Sequence, residues 1–268
     1  MSFVEVDESR EKIWILSMNR PERRNALSVA MVRDLREALG RVDRSRRCRV
    51  AVLRGEGPGF CAGADLKGEE ERLEGTEGMG GLGYVYKMQE SIAALMLAAR
   101  ECQKPIIAAV HGAAVGGGLA LALASDIRVA ARDAVFGAVF IRVGLSSCDV
   151  GTSYLLPRIV GAGRAAELML TGRHFDAEEA LRIGLLHRVV EGDALLDSAL
   201  ETAALIAANN EYGVWMTKQG LWANLDAPSL RHAIELENRT QVLGTFTGNM
   251  REAMQAFQEK RDPEWKPL

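Results

Sequence analysis

The stretch from Pro105 to Ala124, PIIAAVHGAAVGGGLALALA, contains no charged side chain. A run of that length either crosses a membrane or is buried inside a protein. His111 and the glycines at 112, 116, 117 and 118 interrupt it, and clustered glycines mark turns. The stretch therefore reads as a buried strand, a glycine turn and a buried helix. A chain that must enclose such a unit needs a large core, and 268 residues can supply one.

The rest of the chain alternates in the same way. KIWILSMN (12–19), RVAVLRG (49–55), DIRVAA (126–131) and AVFGA (134–138) read as strands. SVAMVRDLREALGRV (28–42) has apolar residues at helical spacing behind Ser28, a favoured N-cap. Strands alternating with helices imply crossovers and an α/β fold. Residues 69–83 hold five Glu and many Gly and read as a mobile surface loop. After Asp193 the strand signals stop, and 195–210, 229–244 and 249–262 read as helices. The expected division is a core over 1–193 and a helical region over 194–268, whose apolar residues need the core or another subunit as partner.

Composition excludes several classes. A net charge of −3 argues against a nucleic-acid binder. The basic run Arg41 to Arg49 reads as a solvated helix end or as a local phosphate patch. Four scattered cysteines with no CxxC pair fit a reducing, cytoplasmic compartment and offer no zinc site. No metal and no separate cofactor is expected. The start, MSFVEVDESR, is too acidic for a signal peptide.

Gly116 to Gly118 open a helix, whose first N–H groups lack partners and carry partial positive charge. Neither dinucleotide-binding nor P-loop spacing is met. GEGPGFCAGADLK (55–67) is a second small-residue turn after a strand. Two such turns can bring two backbone donors to one carbonyl oxygen, as stabilisation of an enolate requires. A tight turn needing small residues for packing is the alternative.

NRPERRNALS, GPGFCAGADLK, KPIIAAVHGAAVGGGLALALASDIRVA and LPRIVGAGRAAELMLTGRHFDAEEALRIGLLHRVV resemble the crotonase superfamily, the enoyl-CoA hydratase/isomerase-like proteins. The resemblance covers nearly the whole chain in order. It implies a spiral of repeated ββα turns with a C-terminal helical trimerisation region, assembled as a homotrimer or homohexamer. It implies an acyl-CoA or enoyl-CoA ligand, with coenzyme A as part of the substrate and no membrane partner. Carried over, the oxyanion donors are the N–H groups of Ala62 and Gly117. Arg23, Arg24, Ala26, Leu27, Gly63, Ala64, Asp65, Leu66 and Lys67 match the CoA-binding surface. Gly116, Ala120 and Phe140 match the acyl side of the site. Lys260, with Arg261, either reaches the CoA phosphates or is a solvated helix end.

The chain departs from the family at its acids. Hydratases usually carry glutamates two residues after the glycine triplet and in a PEI-like motif, where this chain has Ala120 and Phe140. Asp149 is the candidate replacement. CDVGTSYLLPR resembles the DVGT segment of dienoyl-CoA isomerases, whose aspartate shuttles a proton, with one residue inserted to align it. It also resembles a subgroup of actinobacterial hydratase-like sequences. The alternative for Asp149 is capping of the following helix, worth about 1 kcal/mol. Arg142 either pairs with it or is a surface cation. Asp65 is expected to shape its turn, Asp126 to cap or pair locally, and His111 to serve a turn or the core. Tyr84 and Tyr86 line an acyl tunnel or simply pack. Cys61 is expected to be a small buried residue.

Overall fold

In a computed structural model of the chain, described for residues 2–66 and 72–268, the strands form two sheets. The larger has six strands. Its edge strand β1 (Val4–Asp7) runs antiparallel to β2 (Ile13–Met18). From β2 the sheet continues in parallel through β3 (Val50–Gly55) and β4 (Ile106–Val110). It ends with β6 (Ile127–Ala131) and β9 (Arg188–Val190). The smaller sheet joins β5 (Ala113–Val115), β7 (Val135–Gly137) and β8 (Phe175–Asp176). Bridges from Gly59 to Gly112 and from Cys61 to Ala114 extend it. The chain thus lays one strand in the large sheet and the next in the small one, as in β4–β5 and β6–β7. This is the ββα spiral implied by the resemblance.

Every residue of β2 and β4 is buried, because the large sheet is covered on both faces. On one side lie α1 (Val29–Arg44), α2 (Gly81–Glu101), α3 (Gly117–Ala124) and α4 (Thr152–Val160). The hydroxyl of Ser28 accepts the Met31 N–H at 3.2 Å, the expected cap of α1. All of α3 is buried, so a helix apolar all round is at home there. No helix among the described residues is long and apolar enough to cross a membrane.

Further along come α5 (Ala162–Thr171) and α6 (Ala177–Arg182). The outer face of the large sheet is covered by α7 (Leu195–Ala207), whose Leu195, Ala199 and Ala203 pack on Ile15, Val52 and Ile107. Although α7 lies beyond residue 193, it belongs to the core packing. The projecting helices are α8 (Glu211–Leu225), α9 (Leu230–Thr245) and α10 (Asn249–Glu259).

The loop expected over 69–83 is shorter on its far side. Gly81 to Gly83 form the first turn of α2, whose glycines hide its start from a propensity reading. Lys67 and the three residues Glu69, Glu70 and Glu71 lie outside the described residues. β1, β5 and α8 are among the elements that no local pattern marks. β5 is three residues long, too short for a period, and the apolar residues of α8 do not fall on one face.

Candidate active site

Each of the three glycines that open α3 is required for a different reason. Gly116 has φ +54°, a region closed to most side chains. A Cβ on Gly117 would lie 2.9 Å from Leu27 Cδ1, and one on Gly118 only 2.1 Å from the Cys61 carbonyl oxygen. The glycine turn and the Cys61–Asp65 turn are therefore packed backbone to backbone. A Cβ on Gly63, at φ +87°, would lie 3.2 Å from the Gly117 nitrogen.

This close approach sorts the backbone donors. The Ala62 N–H, an expected oxyanion donor, is given to the Arg24 carbonyl at 3.0 Å and is committed to the fold. Among the described residues, the N–H groups of Ala64 and Gly117 have no protein acceptor, and the Ala64 nitrogen is 3.8 Å from the position a Gly117 Cβ would take. The sequence expectation named Ala62, whose N–H is paired within the fold, while that of Ala64 in the same turn is not. The signal that separates them is a hydrogen bond to a distant segment, which no local motif displays.

That segment is the expected CoA-binding surface, and it is stitched to the turn. The Leu27 N–H donates to the Gly63 carbonyl at 2.8 Å, and Asp65 N–H to the Leu27 carbonyl at 3.3 Å. Arg20 pairs with Asp65 at 2.5 Å, the carboxylate buried and the guanidinium largely covered. Asn25, fully buried at φ +54°, accepts the Arg20 N–H and donates its amide to the carbonyls of Glu56 and Gly59, each at 2.9 Å. Arg20 and Asn25 hold the surface in shape, as does His111, whose Nε2 lies 2.8 Å from the Gly57 oxygen. Asp65 shapes its turn as expected. Arg23 is half-buried, Arg24 is exposed, Ala26 is buried, and Leu66 is exposed beside the turn.

The acyl side is apolar. The Phe140 ring approaches the Gly116 Cβ position to 3.8 Å, and Ala120 is fully buried within α3. Neither position carries a proton-transfer group. Asp149 stands just before α4, on the loop that follows the short turn containing Phe140. It does not cap α4: the N-cap is Gly151, and no side chain bonds the first amides. Instead its carboxylate accepts a hydrogen bond from Nε2 of Gln89, a partner on α2 that no local motif displays. Arg142 forms no ion pair with Asp149 and lies over Gly172.

The remaining candidates separate cleanly. Cys61 is fully buried, and burial pushes its thiol up to about 12, so it is no nucleophile at neutral pH. Asp126 pairs across the fold rather than locally, with Lys218 of α8 at 2.8 Å and Arg100 of α2 at 3.5 Å. Arg261 is held by Glu252 and Glu259, while Lys260 carries no ion pair among the described residues. In the basic run, Arg41 pairs with Glu8 and Arg49 donates to the Asn209 carbonyl, as in a solvated helix end. Tyr84 is half-buried under the Arg72 guanidinium, and Tyr86 is exposed. Among the described residues no group of side chains could hold a metal ion. A groove of about 810 Å³, lined by Tyr212, Met216, Leu236 and Trp265, lies among α8, α9 and α10 rather than at the turn.

A ββα spiral with two converging small-residue turns defines the crotonase-type fold. The family model for enoyl-CoA hydratase/isomerase matches residues 8–267, and the chain belongs to that family. It is 42% identical over 264 residues to the probable enoyl-CoA hydratase EchA12 of Mycobacterium tuberculosis, covering 98% of this chain and 92% of that protein. It is 35% identical to the 1,2-epoxyphenylacetyl-CoA isomerase of Escherichia coli, covering 94% of each. A crystal structure of a probable enoyl-CoA hydratase/isomerase from Mycobacterium abscessus superposes with a TM-score of 0.93 at 39% identity, covering 99% of each chain.

Proposed function

We propose that this chain is an enoyl-CoA hydratase/isomerase-type enzyme that works chiefly by moving a proton on an acyl-CoA thioester. The thioester oxygen sits between the N–H groups of Ala64 and Gly117. The observation that carries this reading is that these two adjacent donors have no acceptor within the described fold. Donors fixed in advance stabilise the enolate oxygen more than the neutral carbonyl, and loss of one comparable donor costs on the order of 10²–10³ in rate.

Asp149 is the proton carrier. With a 3-enoyl-CoA its carboxylate takes a proton from the α-carbon, and the electron pair passes to the thioester oxygen as an enolate. The acid so formed exchanges its proton with solvent and returns one at the α- or the γ-carbon, and return at the γ-carbon moves the double bond next to the thioester. One carboxylate suffices for this. Syn hydration also needs a group to deprotonate water, and with Ala120 and Phe140 in the usual glutamate positions it is expected to be slow.

The test is incubation with trans-3-hexenoyl-CoA and trans-2-hexenoyl-CoA in deuterated water, followed by NMR, beside Asp149→Asn. Deuterium at the α-carbon and a migrated double bond, both lost in Asp149→Asn, are expected. The buried apolar pair Ala120 and Phe140 favours a second reading, a non-catalytic acyl-CoA carrier or sensor. Tight binding of both thioesters without conversion would select it.

We also propose a homotrimer or homohexamer in a reducing cytoplasm. The exposed Ile234, Val242 and Leu243 of α9, Phe246 at its end, and Met254 and Phe257 of α10 support assembly through the projecting helices, and four free cysteines suit that compartment. Light scattering on the eluted protein measures the copy number.

A further inference from the structure

We infer that Gln89 is a positioning residue, holding the Asp149 carboxylate off the amides of α4 so that it stays available to a bound thioester. The inference rests on the proton-carrier role proposed for Asp149 and explains how an aspartate just before a helix escapes capping it.

An aspartate just before a helix can turn its carboxylate onto the free N–H groups, and Asp149 stands three residues before Thr152, the first helical residue. Here the chain prevents that. The Thr152 N–H is taken by the Asp149 backbone carbonyl at 2.7 Å, not by its side chain. Val150 follows at φ +37° and Gly151 at φ +86°. A β-branched residue in the left-handed region is a true conformational outlier, and such strain persists only where the surroundings hold it. The buried Val150 side chain holds one side of this turn. Gln89 holds the other through its hydrogen bond to Asp149.

The placement of Gln89 on α2 fits that task. The helix is anchored by its second half, where Leu95, Met96 and Ala99 are buried. Its first half leaves Leu82, Val85 and Tyr86 exposed, on the helical face that Gln89 continues. Gln89 therefore ties this half of α2 to the Asp149 turn. Among the described residues it is the one hydrogen-bonding partner of that carboxylate. A neutral amide is the suitable donor. It orients the carboxylate without placing a positive charge beside a group that must accept a proton.

The experiment compares the full-length protein with Gln89→Leu, Gln89→Glu, the neighbouring control Glu90→Gln, and Asp149→Asn. Turnover of trans-3-hexenoyl-CoA gives kcat and KM. Gln89→Leu and Gln89→Glu are expected to lower kcat about tenfold to a hundredfold, the scale of one hydrogen bond to a charged group. KM and melting temperature stay at parent values, because Gln89 is exposed and contributes little to stability. Glu90→Gln is unchanged. In protein labelled with nitrogen-15, the Gln89 side-chain amide resonances shift on Asp149→Asn. Parent-like kcat in Gln89→Leu, with Asp149→Asn inactive, overturns the inference and leaves the proton-carrier reading standing. A fully active Asp149→Asn overturns both. Amide resonances that ignore Asp149→Asn overturn the contact itself, whatever the turnover.

Discussion

A β-carbon on Gly118 would lie 2.1 Å from the carbonyl oxygen of Cys61. This pair sets the distance between the two turns that converge on the proposed site. Gly118→Ala must push them apart, and overpacking of this kind costs about 1–3 kcal/mol. It is expected to lower the melting temperature and to weaken turnover together. Gly163→Ala is the control, since nothing lies within 4 Å of a Cβ there. In the first turn of α5 it is expected to raise stability by less than the ~0.5–1 kcal/mol of a helix interior. Thermal unfolding of the two variants checks both signs.

Asp65 tests the binding surface. Its side chain is 5% exposed and pairs with Arg20 at 12%. Removing one partner of a buried pair leaves the other charge without compensation, a cost of about 3–5 kcal/mol. Asp65→Asn is expected to lose part of that, because its amide still offers an acceptor. The turn carrying Ala64 and the binding surface stitched to it both loosen, so kcat should fall and KM for an enoyl-CoA should rise. Steady-state kinetics separates the two.

Three buried thiols give the protein an alkaline limit. Burial raises Cys48 and Cys61 from 9.0 to about 12, and Cys102 from 9.0 to about 11. A thiol whose folded value is raised keeps its proton in the native state while the unfolded chain loses it. Its contribution is therefore complete below pH 9.0 and declines as the pH rises toward 11–12. Urea midpoints should fall across that window. At neutral pH iodoacetamide should label the exposed Cys148 and spare the other three, as peptide mass spectrometry would show.

The attachment of the projecting helices depends on Lys218. Its ammonium, 6% exposed on α8, meets Asp126 at 2.8 Å and donates to the Lys104 carbonyl at 3.1 Å. Lys218→Met leaves Asp126 with Arg100 as its nearest cation, at a cost of about 3 kcal/mol. Unfolding should begin in the helical region at lower denaturant. If α8 carries the assembly surface, light scattering will show fewer copies.

The sequence alone made the spiral and its glycine turn legible. Uninterrupted apolar strands such as IIAAV are stable only between two covering layers. Glycines 116–118 after one of them announced a close backbone approach. It was equally clear that Ala120 and Phe140 transfer no proton, because that is a property of the side chains themselves. The tertiary structure decided which amide is left without a partner and what the Asp149 carboxylate bonds. Ala62 and Ala64 look alike in CAGAD, and what separates them is the carbonyl of Arg24, brought in by a different segment. Asp149 reads as a helix cap until Val150, in the left-handed region, and Gln89, on another helix, turn its carboxylate away. Local patterns report what a residue is and which face it prefers. The partner of a hydrogen bond between distant segments exists only once the chain has closed on itself.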